Sequence, residues 1–272
     1  MNKDSFKVAC VQLNTKNSLK RNLKHAIEYI YQAIKNKAKI IITPETINFI
    51  SLEKKDLKKI VNYEKDDIFL SAFKEIAKEE SVWILIGSIV IKDRDEKIFN
   101  RSYLINDKGK IVSQYNKIHM FDVKISNSES YNESSIFSKG KKVSSYPLPW
   151  GRIGLTICYD LRFPGLYRKL AQKGSIFITV PSAFTRHTGK IHWNTLLRAR
   201  AIENGVFIFA AAQCGINSKK RKTYGHSLII DPSGKILADA KSKPGVIYSI
   251  IKPKESEKAR KIIPSWKLNQ NY

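Results

Sequence analysis

One segment of this chain has the shape a nucleophile needs. Residues Gly154-Leu155-Thr156-Ile157-Cys158-Tyr159-Asp160-Leu161-Arg162-Phe163-Pro164 run from apolar strand residues into a cysteine, then into a polar turn and a helix start. A strand that breaks sharply into a helix exposes the side chain at the break, as in a nucleophile elbow. The same turn offers a backbone N–H, that of Tyr159, to a developing oxyanion. Against this stands the ordinary role of a strand-end cysteine, a small buried hydrophobe.

Three further reactive groups stand out, two just after strands and one in the loop that follows. Glu45 follows Thr43-Pro44, Lys117 lies in Asn116-Lys117-Ile118-His119, and Glu133 lies in Tyr131-Asn132-Glu133-Ser134-Ser135. Each taken alone reads as a solvated side chain, the lysine above all in a sequence with 38 of them. Together they offer what a thiol lacks. With a pKa of ~8.5 it is only a few per cent ionised at neutral pH, and it needs a carboxylate base and a cation to become a useful nucleophile. His119, His192 and His226 raise the alternative of a Cys–His pair, but none has an orienting asparagine in its motif. Cys10 and Cys214 fall within strand patterns and read as inert.

The elements that must position these residues follow from periodicity. Residues 6–13 alternate apolar and polar and predict a strand, and Leu19, Leu23, Ile27, Ile30 and Ile34 recur at helical spacing over 18–35. A short strand at 40–43 stops at Pro44, a helix over 67–80 carries Phe69, Phe73 and Ile76 on one face, and a strand follows at 82–91. Strands at 99–106 and 111–115 flank the hairpin signal Asp107-Lys108-Gly109. Residues 118–142 are rich in Ser and Asn without a period and predict a long lid-like loop. The second half repeats the alternation. Strand 152–157, helix 165–172, strand 175–180, helix 191–203 and strand 206–212 precede a hairpin of 224–230 with 235–238, a last strand at 246–251 and a basic, unpatterned tail. No Gly/Ser/Pro-rich linker interrupts this order, which predicts one domain over 1–272, with a core of about 6–251 and a tail at 252–272.

The 272 residues are 42% hydrophobic and 27% charged, which excludes disordered and collagenous classes. No apolar run approaches the ~20 residues of a membrane span. The first residues lead into a strand pattern with no charged and then apolar leader, so a soluble cytoplasmic protein is expected. Three cysteines without a CxxC pair predict neither disulfides nor a zinc site. The net charge of +25 invites a nucleic-acid reading, but the cations are 38 lysines and 11 arginines spread over every segment rather than gathered into a face. No nucleic-acid or membrane partner is expected, only a positive field that draws small anions at low salt.

Taken together, Pro44-Glu45, Asn116-Lys117-Ile118-His119, Glu133-Ser134 and the Cys158 elbow resemble, in chain order, the motifs of the nitrilase (carbon–nitrogen hydrolase) superfamily, over about residues 6–251. That resemblance implies an α/β fold, the four-layer α-β-β-α sandwich. It also implies a catalytic Glu45, Lys117 and Cys158 with Glu133 in support, no cofactor, no metal, and a homodimer. A narrower likeness, in Pro181-Ser182-Ala183-Phe184-Thr185, His192-Trp193 and Tyr224-Gly225-His226-Ser227, is to the deaminated glutathione amidase branch. It implies a small-molecule amide substrate, with Tyr159, Arg162, Ser182 and Phe184 on the oxyanion and substrate side. A substrate with terminal carboxylates calls for cations beyond Lys117, for which Arg162, Arg186 and Lys190 are the expectation. The competing expectations are an omega-amidase or carbamoylase of the same superfamily and, from a different class, a non-catalytic basic binding protein.

Overall fold

The computed structural model describes residues 4–50, 57, 61–127, 129–218 and 221–268. Its first half opens with β1 (Phe6–Gln12), α1 (Leu19–Lys35), β2 (Ile40–Ile42), α2 (Ile68–Glu79), β3 (Trp83–Lys92), β4 (Ile98–Ile105) and β5 (Ile111–Asn116). Two short strands, β6 (Asp122–Lys124) and β7 (Ser130–Asn132), then pair as a hairpin. The chain continues through β8 (Ser144–Leu148), β9 (Gly151–Leu155), α3 (Pro164–Gln172), β10 (Ser175–Thr179), α4 (Asn194–Asn204) and β11 (Phe207–Ala210). A second small hairpin is built from β12 (Cys214–Ser218) and β13 (Arg221–Tyr224), and β14 (Leu228–Ile230), β15 (Ile236–Asp239), β16 (Gly245–Ile251) and α5 (Lys254–Ile262) complete the order.

The large strands form two six-stranded sheets, ordered β16-β1-β2-β3-β4-β5 and β15-β14-β11-β10-β9-β8. In each, three central strands are parallel, β1-β2-β3 and β9-β10-β11, and the flanking pairs are antiparallel. Period-two alternation explains the layering. Val8, Cys10, Ile40, Ile42, Leu85 and Leu104 face the second sheet, while Ala9, Val11, Ile41, Ile84, Ile86 and Ile105 face the other way, under α1 and α2. On the far side of the second sheet, Leu166, Leu170, Leu197 and Ala201 of α3 and α4 close its core. This is the expected α-β-β-α sandwich. Asp67 starts α2 as an N-cap, accepting the Phe69 and Leu70 N–H groups at 2.9 Å each.

Four expectations change. The 118–142 stretch is not an unpatterned loop: apart from Ser128, which lies outside the described residues, it carries the β6–β7 hairpin and a 3₁₀ turn at Glu133–Ser135. The strand expected at 224–230 is two strands, because Gly225 and His226 both take positive φ (79° and 53°) and turn the chain between Gln213 and Lys241, whose carbonyls accept their N–H groups. The helix expected at 191–203 starts as a π-turn, Gly189–Trp193, and continues as α4. The tail is ordered through residue 268, and its last four residues lie outside the described ones. Helix α5 docks through polar groups, with Arg260 donating to the Asn204 and Ser175 carbonyls and Ser256 to that of Gly205.

Candidate active site

Both sheets end their central strands at the same rim. β2 stops at Ile42, and the turn Thr43-Pro44-Glu45-Thr46 carries Glu45 inward, with Thr46 at φ 50° and its N–H on the Ser88 hydroxyl at 2.8 Å. Gly87 of β3 makes this possible. A Cβ there would come 2.0 Å from the Thr43 carbonyl and 2.6 Å from Pro181 Cβ, so only glycine lets the two sheets' loops close on each other. Lys117 follows β5 directly, and its N–H donates to the Asn100 carbonyl at 3.0 Å.

From the second sheet, β9 ends at Leu155, and Cys158 begins a 3₁₀ turn at φ 48°, a left-handed backbone that a non-glycine residue adopts only when its surroundings enforce it. The enforcement is visible. The Cys158 N–H donates to the Pro181 carbonyl (2.9 Å), and the Ile157 N–H to Asp160 Oδ2 (2.8 Å). Buried Asp160 also accepts from the Tyr115 hydroxyl (2.7 Å) and the His119 N–H (3.1 Å), and it lies 2.7 Å from His119 Nδ1. Arg200 Nε fixes the far end of the turn on the Leu161 carbonyl at 3.0 Å.

The reactive side chains converge. Lys117 Nζ lies 2.9 Å from Glu45 Oε1 and 2.8 Å from Glu133 Oε2, with 2% of its side chain exposed. The second Glu45 oxygen accepts the Ala183 N–H at 2.7 Å, and the carboxylate lines the same cavity as the Cys158 thiol. Burial pushes the Glu45 carboxyl up, but the Lys117 ammonium and the hydrogen bonds outweigh it and hold the group below its ordinary range. Burial pulls Lys117 down, and the two carboxylates more than reverse this, so it stays an ammonium. Burial and the neighbouring Glu45 charge push the Cys158 thiol well up, against the pull of Lys117. The resting cluster is therefore a neutral thiol beside an ionised carboxylate and an ammonium. Such a set can pass the thiol proton to Glu45 when an electrophile arrives, with Lys117 at hand for the charge that develops.

A cavity of about 260 Å³ opens onto this cluster, lined by Glu45, Lys117, Cys158 and Glu133 and by the aromatic groups Phe121, Tyr131, Tyr159 and Phe184. Among the described residues, no group of three or more His, Cys, Asp or Glu could hold a metal. The family profile described as Carbon-nitrogen hydrolase matches residues 7–261.

The chain belongs to the carbon–nitrogen hydrolase family.

This carbon–nitrogen hydrolase is thus an enzyme that cleaves carbon–nitrogen bonds in amides other than peptides. It is 39% identical to the deaminated glutathione amidase of Dictyostelium discoideum, over 84% of this chain and 81% of that one. It is also 33% identical to omega-amidase NIT3 of Saccharomyces cerevisiae, over 95% and 91%. Among solved structures, the Caenorhabditis elegans NitFhit protein superposes with a TM-score of 0.92 at 32% identity, covering 99% of this chain and 66% of that chain.

Not every residue expected in the hydrolase's site reaches it. Glu45, Lys117, Cys158, Glu133, Tyr159 and Phe184 line the cavity, but Ser182 and Arg162 do not. Ser182 is buried and turns its hydroxyl back to the Val180 carbonyl (3.1 Å). The Arg162 guanidinium lies behind the wall, over the Phe184 and Tyr159 rings and 3.3 Å from His192 Nδ1. Arg186 and Lys190 are exposed and outside the lining. No histidine lines the cavity. His119 stacks on Phe163 at 3.5 Å, and His226 pairs with Asp239. Cys10 and Cys214 are buried elsewhere, and burial pushes the Cys214 thiol up to about 11.

Sequence reasoning missed three supports. Asn100 Nδ2 donates to Glu45 Oε1 (2.9 Å) and Glu133 Oε1 (3.4 Å), Gln213 Nε2 holds the Glu45 carbonyl (3.0 Å), and Arg221 enters the cavity wall from β13. An asparagine inside an apolar strand was the one available signal, since a buried amide must find partners.

Proposed function

We propose that this enzyme hydrolyses deaminated glutathione, through a thioester on Cys158, to a five-carbon keto acid and Cys-Gly. Glu45 takes the thiol proton as sulfur attacks the amide carbonyl. Lys117 and the Tyr159 N–H stabilise the oxyanion, and Glu45 returns the proton to the departing amine as the C–N bond breaks. Water then attacks the thioester, Glu45 accepts its proton, and the acid leaves as the proton returns to sulfur. Glu133 is a positioning residue: its carboxylate receives the Phe121 N–H (2.7 Å) and holds Lys117 from the second side. The observation that carries the reading is the convergence of thiol, carboxylate and ammonium at the mouth of one cavity, in a chain whose relatives bear this name.

The near alternative, favoured by the NIT3 likeness, is an omega-amidase acting on the shorter keto-acid amide. A side-by-side kcat/KM comparison decides between them, because discrimination lives in that ratio. The deaminated tripeptide is expected to be the better substrate, and a preference of roughly tenfold or more for the short amide would reverse the order.

We read residues 1–272 as one catalytic unit that acts as a homodimer in the cytoplasm, where its three free thiols stay reduced. Ile191, before α4, and Ile202, on it, are 60% and 46% exposed, and a twofold pairing would cover such a surface. Light scattering should give about twice the 31.1 kDa of the chain. A mass equal to one chain at micromolar concentration would remove the dimer.

A further inference from the structure

Arg221 is a cation in the cavity wall that the catalytic cluster does not use. Of the positively charged side chains that line it among the described residues, Lys117 is held between Glu45 and Glu133, whereas Arg221 is in no ion pair with any described residue. The residue is only 8% exposed, and its Nε has no hydrogen-bond partner. One terminal nitrogen donates to the Ala183 carbonyl at 2.5 Å, and the guanidinium carbon sits 4.6 Å from the centre of the Tyr131 ring, so two contacts hold the group in place. A buried guanidinium with no carboxylate partner among the described residues is costly unless an anion balances its charge. The fork geometry selects a planar oxyanion, a carboxylate first of all.

Its position says which half of the substrate carries that carboxylate. Ala183 gives its N–H to Glu45 and its carbonyl to Arg221, so the base and the guanidinium are held by a single residue. Glu45 is the group that hands a proton to the departing amine, so the amine half of the amide lies on the Glu45 side. Resting on the amidase reading above, we infer that Arg221 binds a carboxylate on the leaving-group half of the substrate and is the residue that selects amides with an anionic amine portion over primary amides. Arg221 meets the substrate at its carboxylate and not at the amide being cleaved, so it acts on specificity rather than on the chemistry.

The test uses three amides of the same five-carbon keto acid: its Cys-Gly amide, the same compound with the glycine carboxylate converted to a carboxamide, and the primary amide. A charge-assisted bidentate contact contributes enough for roughly a tenfold to hundredfold preference in kcat/KM for the carboxylate over the carboxamide in the wild-type enzyme. In Arg221→Gln this preference should fall to roughly twofold or less, and Arg221→Lys should keep part of it, as a point charge without the fork. The preference is a ratio within one enzyme, so partial loss of folded protein does not alter it. Should Arg221→Gln fail to fold, the wild-type ratio and that of Arg221→Lys still decide. A wild-type enzyme indifferent to the carboxylate, or a preference that survives Arg221→Gln, overturns the assignment while leaving amide hydrolysis in place. An enzyme inactive on all three compounds overturns the deaminated glutathione reading under Proposed function, and this assignment with it.

Discussion

Replacing Cys158 with alanine should stop turnover while leaving the protein folded. The loss of kcat should be roughly four orders of magnitude or more, because the residues around a missing nucleophile cannot form the covalent intermediate on their own. Stability should change by less than about 1 kcal/mol, for reasons specific to this turn. Alanine keeps the Cβ, so the positive φ is no more strained than before, and the bonds that hold the turn come from the Cys158 N–H, Asp160 and Arg200 rather than from sulfur. The measurement pairs steady-state hydrolysis with a thermal melt. Hydrolysis by Cys158→Ala at a rate near wild type would end the thioester mechanism.

Glu45→Gln removes a group that works in both half-reactions, and its expected cost lies at the upper end of general-base effects, roughly 10⁴ in kcat. The amide side chain also has one oxygen where the carboxylate has two. Lys117 and Asn100 need an acceptor at Oε1 and the Ala183 N–H needs one at Oε2, so one of these donors is left facing an NH₂ group, at a cost of about 1–3 kcal/mol. The pH profile separates this from simple damage. Because the Glu45 carboxyl is held below its ordinary 4.5, the wild-type acid limb should fall below that pH, and the raised thiol should add no rise through neutrality. Stability follows the same signs. The depressed Glu45 contributes above its unfolded pKa near 4.5 and loses this as pH falls through the folded value. The raised Lys117 contributes fully below 10.5 and loses this as pH rises through its folded value. The acid limb of residual activity should vanish in Glu45→Gln, and its survival unchanged would assign it to another group.

The three reactive residues were legible because each lies within three residues of the end of a strand, and strands that end at one sheet rim deliver the side chains that follow them to a common place. The layers were legible for a similar reason, since alternation along β1 and β2 names the residues of each face. What stayed hidden depends on pairing across long sequence distance. Arg221 belongs to Lys219-Lys220-Arg221-Lys222, which reads as a solvated charge run. Only the register of β13 against β12 turns Arg221 and Thr223 inward and leaves Lys222 outside. Arg162 goes the opposite way. Four residues after the nucleophile, it follows the 3₁₀ turn around to the back of the Phe184 wall. Helix α5 escaped notice because its anchors are Ser256 and Arg260, and polar docking leaves no apolar period to find.

The thiol rides on one sheet, and its base and ammonium ride on the other. Neither layer therefore holds a working reaction, and the enzyme is in effect a calliper whose jaws are the two sheets. Glu45 is clamped from across the gap by the Ala183 N–H and the Gln213 amide, so the jaws are set by hydrogen bonds as well as by the apolar filling between them. A slip of about 1 Å along that seam is enough to cost on the order of a hundredfold in rate. Substitutions deep between the layers, remote from any substrate, are thereby tied to turnover through spacing alone.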